Sequence, residues 1–128
     1  MRAARAPPGE LVGLATGPLT TLALAMRAEP GLPRLLRRLV IMGGAFNYKG
    51  NTTPVAEWNV SVDPESAAEV FGGWGASWGP DAPGHLPIVL GLDLTENIAM
   101  TPALLSRLAA AAGAPSAPMG VRDDRGTR

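Results

Sequence analysis

The chain contains no cysteine and a single histidine, His85. The first absence excludes disulfides, thiolate metal sites and a cysteine nucleophile, and it fits a cytoplasmic setting. The second leaves neither a Ser-His-Asp triad nor a paired-histidine zinc site much to be built from. Charge of one sign is also lacking. Eleven Lys and Arg offset eleven Asp and Glu, so no basic field draws nucleic acid. No apolar run reaches the length of a membrane span. The longest, Leu11 to Met26, is interrupted by Gly17-Pro18 and by threonines. The opening MRAARAPPGE lacks the apolar stretch and small-residue cleavage site of a secretory leader, and reads as a solvated arm. Phosphate cradles are missing too: no GxGxxG follows a strand and no GxxxxGK[ST] occurs. GxSxG and HExxH are likewise absent.

What is present suits one α/β domain at most, or a piece of a larger one. The 128 residues are 46% apolar, enough for a core, although only three Trp, two Phe and one Tyr are aromatic. Sixteen Gly and thirteen Pro punctuate the apolar runs. Leu11 to Ala15 reads as a buried strand, stopped by Thr16-Gly17-Pro18. Helical spacing then runs from Leu19 to Met26, with Pro18 suited to the first turn. Leu32, Leu35 and Leu36 oppose Arg34, Arg37 and Arg38 on a short segment, a solvated basic face. Leu39 to Met42 is a second strand, apolar on both faces as in a helix-covered parallel sheet. Asp63-Pro64-Glu65 starts a helix expected to end at Gly72-Gly73, with Gly72 to Gly84 as loop held by Trp74 and Trp78. His85 reads as a surface residue. Leu86 to Leu92 is a third strand, followed by Asp93, Thr95, Glu96 and Asn97. Pro102 to Ala112 is a last helix with Leu104, Leu105 and Leu108 as its core stripe, and no apolar period follows Gly113. Strand and helix alternate, which argues for a mainly parallel, Rossmann-like sheet with flanking helices. Ligands of such sheets lie outside the C-terminal strand ends.

The polar groups gather there: Thr16 after the first strand, Asp93 after the third, and a long loop after the second. That loop, within Val40 to Pro64, holds Asn47, Asn51, Thr52, Thr53, Glu57 and Asn59, with Phe46 and Trp58 as its apolar anchors. Connections this long tend to be functional or disordered. In an extended segment Glu57 and Asn59 project to one side. Their carboxylate and amide could grip several hydroxyls of a sugar or ribose. They could equally cap and pin their own loop.

Several stretches, taken in order, resemble the inosine–uridine-preferring nucleoside hydrolases. They are Ala15-Thr-Gly-Pro-Leu-Thr20, Val40-Ile-Met-Gly-Gly44, Gly50-Asn-Thr-Thr-Pro-Val-Ala-Glu-Trp-Asn59 and Val62-Asp-Pro-Glu65. Gly91-Leu-Asp-Leu-Thr95 with Thr101-Pro102 completes the series. The resemblance implies hydrolysis of a ribonucleoside N-glycosidic bond to ribose and base, in nucleoside catabolism and purine salvage. It implies a homo-oligomer and a calcium ion that holds the attacking water. By position it assigns the Thr16 backbone carbonyl to calcium, Met42 to the neighbourhood of the ribose, and Asn51, Glu57 and Asn59 to its hydroxyls. Two family motifs are absent: the DxDxGxDD signature, which carries most metal ligands and the base, and a later His-Asp pair. No catalytic base or leaving-group acid is therefore expected in this chain, and Asp123-Asp124 is no substitute. Thr21 stands where the family has Asn, and Trp58 where Phe is common. The expectation is an incomplete hydrolase domain over residues 11–112, between an arm at 1–10 and a disordered tail at 113–128. The alternatives are a non-catalytic ribosyl-binding module and an inactive truncated product.

Overall fold

A computed structural model gives the fold and describes residues 8–79 and 82–113. Most of the expected arm, nearly all of the expected tail, and Asp123-Asp124 lie outside the described residues. The elements are β1 (Val12–Ala15), α1 (Thr20–Ala28), α2 (Leu32–Leu35), β2 (Arg38–Met42), α3 (Trp58–Val62), α4 (Pro64–Trp78), β3 (Ile88–Leu90), α5 (Leu92–Thr95) and α6 (Pro102–Ala111). The chain divides into two compact units, residues 1–97 and 98–128.

In the first unit three parallel strands lie in the order β1-β2-β3. Gly13 is level with Leu39, Ala15 with Ile41, and Ile41 with Val89. Crossovers of one hand that step across a sheet in one direction deliver their helices to one face. Leu39 and Ile41, both 1% exposed, meet that layer and pack with Leu19, Ala23 and Met26 of the α1 segment and Ala67, Val70 and Trp74 of α4. The opposite face is less covered: Leu14, level with Val40, is 69% exposed, and Ile88 beyond it is 39% exposed. The expected cover on both faces is therefore present on one, among the described residues.

Helix α4 departs most from the sequence reading. It runs through Gly72, Gly73 and Gly75 to Trp78 instead of ending at Gly72. Glycine in a helix interior costs roughly 0.5–1 kcal/mol relative to alanine, whereas a fully buried Trp contributes several-fold more. Trp74 is 1% exposed, one turn beyond Val70, and its indole Nε1 donates to the His85 carbonyl at 2.9 Å. Gly73 also serves the packing, since a Cβ there would lie 2.8 Å from the Met26 terminal methyl. The start follows expectation: the Asp63 carboxylate accepts from Ser66 N at 3.0 Å, with Pro64 in the first turn. Arg27 of α1 clamps Glu69 of α4 through Nε at 2.8 Å.

Pro18 sits outside α1, because Leu19 occupies the cap and the helix begins at Thr20. The third strand is only Ile88–Leu90, since Leu92 turns into α5 with its N–H on the Gly44 carbonyl at 2.9 Å. Of the basic face, Arg34 donates to the Ser77 carbonyl at 2.6 Å and lies over the Trp78 ring. His85 is exposed, as expected, and stacks on Trp78 with ring centroids 3.9 Å apart.

The second unit holds α6, whose cap Thr101 accepts from Leu104 N at 3.2 Å. Its leucines do not form the expected core stripe: Leu104 is half-buried, and Leu105 and Leu108 are 39% and 51% exposed. No second apolar element exists among the described residues of that unit to bury them.

Candidate functional site

The C-terminal ends of adjacent strands place Thr16 beyond Ala15, Met42 at the tip of β2, and Gly91 beyond Leu90. Two main-chain bonds tie the second and third ends together: Gly43 N to the Leu90 carbonyl at 3.1 Å and Leu92 N to the Gly44 carbonyl at 2.9 Å. The long loop rises from this edge and returns to it at Glu57.

Glu57 is 3% exposed, and its carboxylate is met by three backbone N–H groups. Oε1 accepts from Asn59 N at 2.8 Å, while Oε2 accepts from Gly44 N at 3.0 Å and Val60 N at 3.1 Å. A carboxylate offers about four lone-pair sites, so three N–H donors use most of its accepting capacity. The same bonds make Glu57 the N-cap of α3, a helix the sequence reading placed inside an extended loop. Glu57 and Asn59 do converge, but by cap geometry and not by the alternation of a strand.

Asn59 is 8% exposed. Its Nδ2 donates to the Met42 carbonyl at 3.1 Å and lies 3.3 Å from the Met42 sulfur. Its Oδ1 has no hydrogen-bond partner among the described residues. Asn51 is exposed, and its Oδ1 accepts from Trp58 N at 2.9 Å, which leaves Nδ2 as the donor not used by that bond. Met42, Glu57 and Asn59 are joined directly, and Asn51 reaches them only through the Trp58 main chain. Thr16 stands on the same edge without a hydrogen bond to any of them, and it borders an apolar groove beside β1.

The loop is held by hydrogen bonds where apolar anchors were expected. Phe46, Val55 and Trp58 are 54%, 79% and 53% exposed. In their place Gly50 N donates to the Pro54 carbonyl at 2.9 Å, and Asn51 N and Thr52 N both reach the Ala56 carbonyl at 3.1 Å. Gly50 is essential to this knot, because a Cβ would lie 2.2 Å from the Thr53 carbonyl oxygen and 2.4 Å from Ala56 backbone atoms. Lys49 pairs at 3.4 Å with Glu96, the C-cap of α5. Sequence reasoning missed Gly50 and Gly44 as parts of the site. The run of hydroxyl and amide residues after Gly50 was the available signal, since such knots form where side chains replace a ladder.

At the far end of α3, Thr20 donates to Asp63. That bond and the Ser66 cap hold the Asp63 carboxyl below the usual carboxylate range. A metal is less well provided for. Calcium takes 6–8 oxygen ligands, several of them carboxylates. No group of three or more His, Cys, Asp or Glu able to hold an ion exists among the described residues. Glu57 is committed to N–H donors and Glu96 to Lys49. The described donor set does not fit calcium.

The family described as inosine-uridine preferring nucleoside hydrolase matches residues 1–122. The pyrimidine-specific ribonucleoside hydrolase RihB of Escherichia coli O1:K1 is 37% identical over 105 residues, covering 82% of this chain and 30% of that protein. A putative RihB of Shigella boydii is also 37% identical over 105 residues and is covered to 39%. Among solved structures, a plant nucleoside hydrolase superposes with a TM-score of 0.66 at 33% identity, over 84% of this chain and 31% of its own. A purine-preferring ribonucleoside hydrolase from Gardnerella vaginalis gives 0.60 at 30% identity, over 72% of this chain and 26% of its own. The chain spans about a third of the length of the curated relatives it matches.

Proposed function

The chain belongs to the inosine-uridine preferring nucleoside hydrolase family, and from that premise we propose that it supplies the ribose-holding segment of an enzyme that cleaves ribonucleoside N-glycosidic bonds. In this reading Asn59 Oδ1 and Asn51 Nδ2 meet ribose hydroxyls, one accepting and the other donating. Met42 packs beside the sugar. Glu57 offers its remaining lone pair, while its larger task is to fix the loop that carries the two asparagines. Rigidity of this kind lowers the entropy cost of gripping a polar ligand.

One observation carries the reading. The Asn59 amide is fixed by its bonds to Met42, and its carbonyl oxygen is left without a partner among the described residues. That oxygen keeps solvent contact at the strand edge, where a ribose hydroxyl would take the place of water. The range of relatives supports a sugar-side role. The segment is shared with a protein named pyrimidine-specific and with one named purine-preferring, and ribose is what their nucleosides have in common.

The Thr16 carbonyl is this chain's one proposed contribution to a calcium centre, whose other ligands would come from elsewhere in the family's fold. A cytoplasmic location is proposed with it; no helix among the described residues is long and apolar enough to cross a membrane. Assembly into a homo-oligomer is carried as a proposal from the family alone.

A graft tests the role. Residues 40–64 replace the matching segment of the Escherichia coli relative, and uridine hydrolysis is measured with and without Asn59→Ala. The reading expects a folded, active chimera whose kcat/KM falls at least about 100-fold with Asn59→Ala, on the scale of losing a positioning contact. A folded chimera that hydrolyses uridine equally well without Asn59 would overturn it.

A further inference from the structure

We propose that Met42 is a positioning residue whose thioether sulfur, more than its bulk, sets the plane of the Asn59 carboxamide and so the direction in which Oδ1 faces a ligand. The proposal deepens the ribose-holding reading and takes its functional meaning from it, but its first readout needs no sugar.

A primary amide has two N–H donors on one nitrogen and an acceptor oxygen opposite them. Asn59 Nδ2 lies 3.1 Å from the Met42 carbonyl oxygen and 3.3 Å from the Met42 sulfur. Both donors therefore have an acceptor on the same residue, one main-chain and one side-chain. The last torsion of an asparagine is broad and roughly two-fold. One acceptor alone would let the amide pivot about that bond. Two acceptors fix its plane. The reversed amide is excluded as well, because it would turn Oδ1 toward a carbonyl oxygen and a thioether, neither of which donates.

The sulfur has this task because the rest of Asn59 is already placed. Its N–H donates to Glu57 Oε1 at 2.8 Å, and the residue is buried within α3. Only the carboxamide torsion is left to set. Packing alone would favour another branched aliphatic residue at position 42. Leu39, Val40 and Ile41 precede it, and such residues suit a strand of a parallel sheet. Methionine is unbranched, with three rotatable bonds, and costs more side-chain entropy to order. Met42 also differs from Met26, which is buried in the core, and from Met100, which is exposed. Among the described residues only the Met42 sulfur accepts a hydrogen bond.

The test uses the whole 128-residue chain, isotopically labelled, with Met42→Leu and Met42→Gln. Leucine keeps the apolar bulk and removes the acceptor, whereas glutamine offers a carbonyl oxygen at about the reach of the sulfur. Met42→Leu is expected to shift both Asn59 carboxamide proton signals in NMR spectra. It should also speed their exchange with water at least about threefold, the scale of one weak hydrogen bond. The backbone amides of Asn59 and Val60 should keep their protection, since Glu57 holds them. Met42→Gln should bring carboxamide exchange back toward the parent rate. In a ribose titration Met42→Leu should lose affinity by about the same factor of three.

Unmoved carboxamide signals in Met42→Leu would overturn the proposal, and together with lost ribose affinity they would assign Met42 to direct packing on the sugar. Faster exchange at the Asn59 and Val60 backbone amides as well would also overturn it, reducing Met42 to a general support of the strand end. If the parent chain binds no ribose, the ribose-holding reading fails while the carboxamide signals still decide the orienting role.

Discussion

Gly44 N lies 3.0 Å from Glu57 Oε2, a hydrogen bond that closes a thirteen-residue excursion of the chain. The same carboxylate caps α3 through Asn59 and Val60, so one buried side chain fixes the start, the end and the exit direction of the candidate site. Its replacement should be felt as stability before it is felt as chemistry. Glu57→Ala leaves N–H donors buried without an acceptor and is expected to cost roughly 2–4 kcal/mol. Glu57→Gln should recover only part of that, because an amide –NH₂ would face an N–H. Urea unfolding of the two variants measures both, and a loss below about 0.5 kcal/mol for Glu57→Ala would be that of a solvated carboxylate.

The knot around Gly50 makes a more local claim. A Cβ there cannot be placed without moving the Thr53 and Ala56 backbone. Gly50→Ala is expected to speed amide exchange at Asn51, Thr52 and Ala56 while leaving β2 and α4 protected. Unchanged exchange at those three amides would show that the loop accommodates the methyl.

Helix α4 offers a prediction of opposite sign. Gly72 and Gly75 lie in its interior, and a Cβ at either meets no neighbouring atom within 4 Å. Gly72→Ala and Gly75→Ala should each stabilise the protein by about 0.5–1 kcal/mol, through the smaller entropy of the unfolded chain. Thermal melts of the single and double variants check this. A lowered melting temperature would place α4 somewhere other than described.

How far the sequence was legible follows from these cases. Strand and helix alternation, the parallel sheet and the Asp63-Pro64 start were readable because local pattern and tertiary need agree there. The end of α4 was not, since the burial of Trp74 outweighs three helical glycines and burial has no local signature. That Glu57 and Asn59 lie side by side was readable from their spacing. Their arrangement was not: a glutamate that caps a helix and a glutamate that holds a hydroxyl look alike until the N–H groups of Gly44 and Val60 are placed. The exposure of Leu105 and Leu108 was likewise invisible, because an apolar stripe records what a helix could bury and not whether a partner is present.

Two carboxylates make acid stability informative. Bonds from Thr20 and Ser66 lower the pKa of Asp63, and the hydrogen bond from Arg27 lowers that of Glu69. A carboxyl whose folded pKa is depressed adds stability above its unfolded value and loses it as pH falls through its folded value. Stability should therefore be level near neutrality and decline below the ordinary carboxylate range. Asp63→Asn should reduce that dependence in urea melts taken from pH 7 to pH 2. An identical pH slope in the variant would mean that Asp63 takes no part.

The central claim is that this segment holds ribose without carrying the hydrolytic machinery, and one titration addresses it most directly. Ribose, and then inosine, is added to the isotopically labelled chain while amide and side-chain NMR signals are recorded, and released base is assayed in the same samples. The account expects shifts at Asn51, Asn59 and Met42, loss of those shifts with Asn59→Ala, and no release of hypoxanthine. Signals that do not move at the highest soluble ribose concentration, or inosine turnover by the chain alone, would contradict it.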